Sequence, residues 1–202
     1  MADHLEIERK FEADASFTLP SLDGMPGVES VQAPAVYQLD ATYFDTAGLA
    51  LHKNRVTLRR RTGGPDEGWH LKLPVSADTR RELHEPLSPS VPPRLAAAVE
   101  QFTAGQPLQA IAILSTERTV RSLTGPDGSV LGEVADDAVT ARRLPGEDTA
   151  DLTWREIEVE SGDQDVLAAA GRLLTDAGAR PARSASKLGH LLENLEQFHR
   201  FP

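Results

Sequence analysis

His4-Leu5-Glu6-Ile7-Glu8-Arg9-Lys10-Phe11 (HLEIERKF), near the N-terminus, divides its residues unusually. Read with the two-residue period of a β-strand, Leu5, Ile7 and Phe11 share one face with Arg9, while Glu6, Glu8 and Lys10 share the other. A strand with an apolar face to bury has given its opposite face to two carboxylates and an ammonium. The same division recurs along the chain. Glu156, Glu158 and Glu160 lie together opposite Ile157 and Val159; Arg55, Thr57, Arg59 and Arg61 lie together opposite Val56 and Leu58. His70 and Lys72 oppose Trp69, Leu71 and Leu73; Arg80, Glu82 and His84 share a face; Glu133 and Asp137 share one with Ala135, opposite Val134.

Two arrangements produce such strands. An ordinary antiparallel sheet turns its charged face to water and packs its apolar face on helices. A sheet closed into a barrel keeps the charges inside and the apolar residues outside, under helices. A solvated face mixes Ser, Thr, Gln and Lys with scattered charge. Here carboxylates gather on the first, penultimate and last strands and guanidinium groups on the middle ones, which favours the closed barrel with a charged lumen and helices outside. Charges enclosed in a barrel are unfavourable unless they pair or bind ions, so this fold predicts ligands.

Turn chemistry separates the elements. A loop with Pro20, Gly24, Pro26 and Gly27 precedes a strand over 36–46; two strands over 55–74 flank a Gly-Pro-Asp turn; a short strand follows at 79–87. Leu95, Val99 and Phe102 space a helix ending at Gly105, and strands over 114–123 and 128–141 flank the turn Gly125-Pro126-Asp127-Gly128. A strand over 153–161 and two helices over about 163–199 complete the chain, the first capped by Asp163 and stopped by Gly178, the second carrying Leu188, Leu191, Leu192, Leu195 and Phe198. There is no internal repeat, and residues 1–202 are expected to form a single domain.

Composition bounds the partners. The chain has 31 acidic and 21 basic residues among 202, a net charge of −10, which argues against a nucleic-acid surface held by counterion release. It lacks cysteine, so neither disulfides nor thiolate metal sites are available. No apolar leader or membrane-spanning run is present, and a cytoplasmic protein acting without membrane or nucleic acid, as monomer or homodimer, is the expectation. Clustered Arg and Lys suit phosphate oxygens, and clustered Glu and Asp without Cys suit Mg²⁺ or Mn²⁺. Together they point to a metal polyphosphate.

These residues carry a family resemblance. EIERK (6–10) resembles the ExExK signature of the CYTH superfamily, the triphosphate tunnel metalloenzymes that include class IV adenylate cyclase and thiamine triphosphatase. YFDT, TLRRR followed by Trp69 and LKLP, RRELHE, TERTVR, EVADD, EIEVE and SASKL follow in that family's order and approximate spacing, from Leu5 to Leu192. The resemblance implies an α+β fold, an eight-stranded antiparallel closed β-barrel (tunnel) with a charged lumen and helices packed outside, and metal-facing carboxylates at Glu6, Glu8, Glu156 and Glu158. It implies a phosphate cradle of Lys10, Arg59, Arg61, Lys72, Arg80, Arg118 and Lys187, with Glu82, Glu133, Asp137 and Glu160 completing the lining. Glu6, Glu8, Lys10 and Glu158 are the expected catalytic set. Two departures thin the positive lining: His190 and Thr116 stand where many relatives have basic residues. Trp154 shares parity with the carboxylates and is expected at a tunnel mouth.

The resemblance implies a choice of three activities. One is metal-dependent hydrolysis of inorganic tripolyphosphate or of a thiamine or nucleoside triphosphate, the expected one. Another is an adenylyl cyclase reaction, attack of a ribose hydroxyl on the α-phosphate with loss of pyrophosphate. The third is polyphosphate binding without turnover; CYTH domains in bacteria often precede a basic helical CHAD domain, and this chain stops where one would start.

Overall fold

The alternation of charged and apolar faces is resolved by closure of the sheet on itself. The computed structural model describes residues 3–76, 79–145 and 151–198. Its elements run β1 (Asp3–Ala13), β2 (Ser30–Val31), β3 (Ala35–Asp45), α1 (Ala50–Lys53), β4 (Thr57–Thr62), β5 (Gly68–Pro74), β6 (Thr79–Glu85), α2 (Pro93–Thr103), β7 (Gln109–Thr124), β8 (Val130–Arg143), β9 (Leu152–Ser161), α3 (Gln164–Asp176), β10 (Arg180–Pro181) and α4 (Lys187–Phe198). Eight strands make one antiparallel ring in the order β1-β6-β5-β4-β3-β7-β8-β9, and β9 pairs back onto β1. The two-residue strands β2 and β10 are additions on β7 and β1. Closure joins the two acidic strands, with Glu8 opposite Glu160, Lys10 opposite Glu158 and Glu12 opposite Glu156.

Strand parity then sorts the side chains as expected. Phe11, Ile157 and Val159 pack outside the barrel against Val166, Leu167, Ala170 and Leu174 of α3, with Ile7 against the same cluster. Leu58, Trp69 and Leu71 pack outside against Leu95 and Val99 of α2. Local chemistry fixes the starts of α2 and α3: Pro93 occupies the first turn of α2, and the Asp163 carboxylate accepts the Asp165 and Val166 amides at the start of α3. Among the described residues, no helix is long and apolar enough to cross a membrane.

Helix α4 occupies a different place. Its Leu188, Leu191 and Leu192 pack against Ala41, Tyr43, Leu114, Val139 and Ala141. Those strand residues share parity with Arg118 and Asp137 and therefore face inward. α4 lies across one end of the barrel and closes it with leucine. Trp154 belongs to this closed end, not to a mouth: its ring stacks on His190 with centroids 4.4 Å apart and planes 21° apart. A second correction concerns Arg55, which is not part of the arginine strand. It follows α1 with φ 59°, and β4 begins at Thr57. The side chains of Leu5, Leu195 and Phe198, and the whole of His199, fall outside the described residues.

Leu191 is 1% exposed. Leu191→Ala should therefore cost about 2–5 kcal/mol, the usual range for opening such a cavity. Chemical denaturation checks this, and a loss below about 1 kcal/mol would mean that α4 is not part of the core.

Candidate functional site

Between the leucine-closed end and the open one lies a cavity of about 290 Å³. Its walls carry Glu6, Glu8 and Lys10 of β1, Arg59 and Arg61 of β4, Lys72 of β5, Arg80 and Glu82 of β6, Arg118 of β7, Glu133 of β8, Glu158 and Glu160 of β9, and Lys187. Thus most of the residues singled out in the sequence converge on one lumen. Asp137 and Glu156 do not line it. They lie behind its floor, 0% and 1% exposed, and Glu156 is turned to a lysine where a metal was expected.

The floor is an ion cluster around Lys187, the first residue of α4. Ser186 caps that helix, accepting the Gly189 amide on its hydroxyl, and so aims Lys187 into the barrel. The Lys187 Nζ lies 2.8 Å from Asp137, 2.9 Å from Glu156 and 2.7 Å from Glu158. Arg118 grips Asp137 with two parallel bonds of 2.8 and 2.6 Å and also donates to Glu158. Lys10 donates to Glu158 and lies 3.0 Å from Glu8. Burial alone would raise Glu158, but Lys10, Lys187 and Arg118 hold its carboxyl well below the usual range. Burial keeps Glu156 above it despite Lys187 and Lys10. Lys10 is correspondingly raised: burial opposes its charge, and Glu158, Glu8 and Glu156 prevail.

Above the floor the two sides of the cavity differ in sign. On one side the Arg59 guanidinium donates to the Tyr43 hydroxyl at 3.3 Å, and its Nε has no partner. Arg61 pairs with Asp66, from the turn between β4 and β5; burial, Arg59 and Arg118 pull its guanidinium down to about 9. Lys72 lies 2.5 Å from Glu6, and Arg80 donates to the carbonyls of Arg55 and Ala185 at 3.2 and 3.0 Å. On the other side Glu133, Glu160 and Glu8 stand directly opposite one another across β8, β9 and β1. Like charges in that register repel. Burial pushes Glu160 up to about 7, with Glu6 and Glu8 adding repulsion.

The lining residues outside the predicted site include His70, His84 and Asp66. His70 was visible, since it shares parity with Lys72; His84 shares a face with Glu82; Asp66 sits in a turn, where strand parity gives no signal.

Glu160 generates a pH prediction. Its folded-state value, about 7, lies above its ordinary 4.5, so its protonated form favours the folded state. That contribution is complete below the ordinary value and is lost as pH rises through the folded one. In metal-free buffer from about pH 5 to about pH 8, the wild-type melting temperature should fall relative to Glu160→Gln, which cannot ionise. Parallel curves for the two proteins would exclude the raised value of Glu160.

Comparison with known proteins agrees with this geometry. The CYTH domain family profile matches residues 4–187. Two uncharacterized proteins of Mycobacterium tuberculosis, from strains CDC 1551 and H37Rv, are each 41% identical over 208 aligned residues. The alignment covers 95% of this chain and 40% of theirs, so the chain spans less than half the length of these relatives. Among solved structures, a Bacillus halodurans protein provisionally named an adenylate cyclase superposes with a TM-score of 0.58 at 20% identity, covering 93% of this chain and 97% of that one. At that identity the likeness concerns the fold alone. A Hippeastrum protein provisionally named an adenylyl cyclase, described as having a dominant triphosphatase activity, gives 0.45 at 16% identity over 91% of this chain and 93% of its own, too distant to carry an argument. Strand closure, the charged lumen and the profile match converge, and the chain belongs to the CYTH domain family.

Proposed function

We propose that this domain binds a triphosphate together with a divalent cation and hydrolyses it. The observation that carries this reading is the meeting of two unbalanced walls in one cavity. Arg59 faces a hydroxyl and Arg61 a carboxylate on an exposed turn, while Glu133 and Glu160 stand opposite one another across β8 and β9, with Glu8 next in the row. A metal polyphosphate carries both complements in one ligand, phosphate oxygens for the guanidinium groups and a hard cation for the carboxylates.

Each residue then has a role. Arg59 has its full donor set available apart from one bond to a hydroxyl, and Arg61 is held by a carboxylate on an exposed turn that an entering phosphate can displace. Lys72 and Arg80 flank the same path. Arg118 and Lys187 are committed to the floor, where they keep Glu158 ionised and fixed. Glu6, Glu8 and Glu160, with Glu158 beside them, would hold Mg²⁺ or Mn²⁺, for which all-oxygen donors are suited. Among the described residues no three acidic or histidine side chains already form a metal cage. When bound, such a cation supplies charge neutralisation and activation of a water molecule. The leucine-closed end keeps bulk water from behind the phosphates, and a group beyond them projects toward the open end.

The test is turnover of tripolyphosphate, ATP and thiamine triphosphate with Mg²⁺ or Mn²⁺, with the products identified. Orthophosphate release is expected; cyclic AMP with pyrophosphate would instead indicate the cyclase reaction served by a similar lining. Arg59→Ala should lose about 2–4 kcal/mol of transition-state stabilisation, read as kcat/KM, as for removal of a preorganised electrostatic donor elsewhere. No turnover of any of the three, with no rise in melting temperature at saturating cation and tripolyphosphate, would reject the triphosphate reading.

A further inference from the structure

His70 lies in the cavity wall, 3% exposed, and both of its ring nitrogens face acceptors. Nε2 is 2.8 Å from the backbone carbonyl oxygen of Asp66, and Nδ1 is 2.5 Å from Oε1 of Glu82. A carbonyl oxygen only accepts, so Nε2 carries the hydrogen. A neutral imidazole then turns a bare lone pair at Nδ1 toward a carboxylate, whereas the imidazolium donates to both partners. The geometry is a socket shaped for a cation.

The surroundings of the ligand-free site oppose that cation. Burial, with Arg59 and Arg61 on β4, pulls the imidazole down to about 4, against the pull of Glu82. From β6 the His84 ring stands 4.7 Å away, and on His70's own strand Lys72 lies 3.8 Å from Glu82, adding positive charge to the neighbourhood. An anion that pairs with Arg59 and Arg61 cancels the charges that keep the proton away.

We propose that His70 takes up one proton from solvent when a phosphate chain enters the cavity, so that anion binding and imidazolium formation between Glu82 and the Asp66 carbonyl are coupled. The inference rests on the triphosphate reading of the site. The proton arrives at Nδ1, and no other bond changes. His70 acts as a positioning residue: as Arg61 turns from the Asp66 carboxylate to phosphate, the charged imidazole strengthens its hold on the Asp66 backbone and keeps the turn in place. The sign follows from linkage. A group whose affinity for protons rises on binding makes binding tighter at lower pH, across the interval between its free and bound values.

The experiment is calorimetric titration of the full chain with tripolyphosphate and Mg²⁺ in buffers of different ionisation heat, comparing wild type with His70→Gln. Protonation of the ligand itself is common to both proteins and cancels. Wild type should take up about one proton more per ligand bound, and its affinity should fall by up to about tenfold more per pH unit than the variant's, between about pH 5 and about pH 7. Equal uptake and equal slopes overturn the inference. Should the variant not fold, ¹⁵N spectra of the wild-type imidazole decide: His70 must pass from neutral to doubly protonated on adding tripolyphosphate, and an unchanged ring overturns the inference. If tripolyphosphate does not bind the wild type at all, the triphosphate reading fails and this inference with it. Binding without proton uptake removes only the coupling.

Discussion

The Lys187 ammonium, set among the carboxylates of Asp137, Glu156 and Glu158, is the interaction on which the rest of the molecule depends. Three carboxylates at the bottom of a barrel are unfavourable without a cation, and a buried cluster of this kind is strongly destabilised when one partner is removed. The cation comes from α4, whose leucines close the barrel end. Packing and electrostatics therefore require one another. The helix cannot leave without exposing Leu188, Leu191 and Leu192 and also stranding the carboxylates. Arg118 and Lys10 extend the cluster to Glu158 and Glu8, so the floor of the cavity is fixed by the interaction that holds the closing helix.

Above that floor the charge balance is deliberate in its incompleteness. Glu158, Glu8 and Asp137 are held ionised by neighbouring cations. Burial, Arg59 and Arg118 pull Arg61 down, and burial with Glu6 and Glu8 pushes Glu160 up. Both shifts mark groups with too little opposite charge nearby. They sit on opposite walls of one cavity. A net charge of −10 places the guanidinium groups of β4 in a protein that otherwise repels polyanions. A cation bound at the carboxylate wall reduces that repulsion where it matters.

The barrel was legible in the sequence because a period of two separates the faces of β1, β4, β5, β6, β8 and β9, and because the first and last long strands are both acidic. Acidic strands at the two ends of a chain make sense once closure sets Glu8 beside Glu160. The closed end was not legible. Leucines at helical spacing look the same whether they cover a barrel wall or fill its end, so the inward turn of Ala41, Leu114 and Val139 had no sequence signal. The positions of Glu156 and Trp154 followed from that one unseen fact. Asp66 escaped notice because turns have no parity. His70 had the right parity, but its two acceptors come from a turn and a neighbouring strand, a coincidence that only the folded chain displays.

The site also lies at the seam of the fold. Pairing of β1 with β6 ends at Ile7 opposite Thr79, and pairing with β10 begins only at Phe11 opposite Pro181. Among the described residues, Glu8, Arg9 and Lys10 thus lie in the stretch between these two pairings. The segment leading from β10 to α4 covers it: the Ala182 amide donates to the Lys10 carbonyl, and Arg80 donates to the Ala185 carbonyl. On the other side the same three residues pair with β9, with Glu8 and Lys10 turned to the lumen. These residues are thus held on that side by a strap whose far end is Lys187. Any ligand that draws Glu8, Lys10 and Glu158 together tightens this seam, so occupancy of the cavity and stability of the closed barrel are linked.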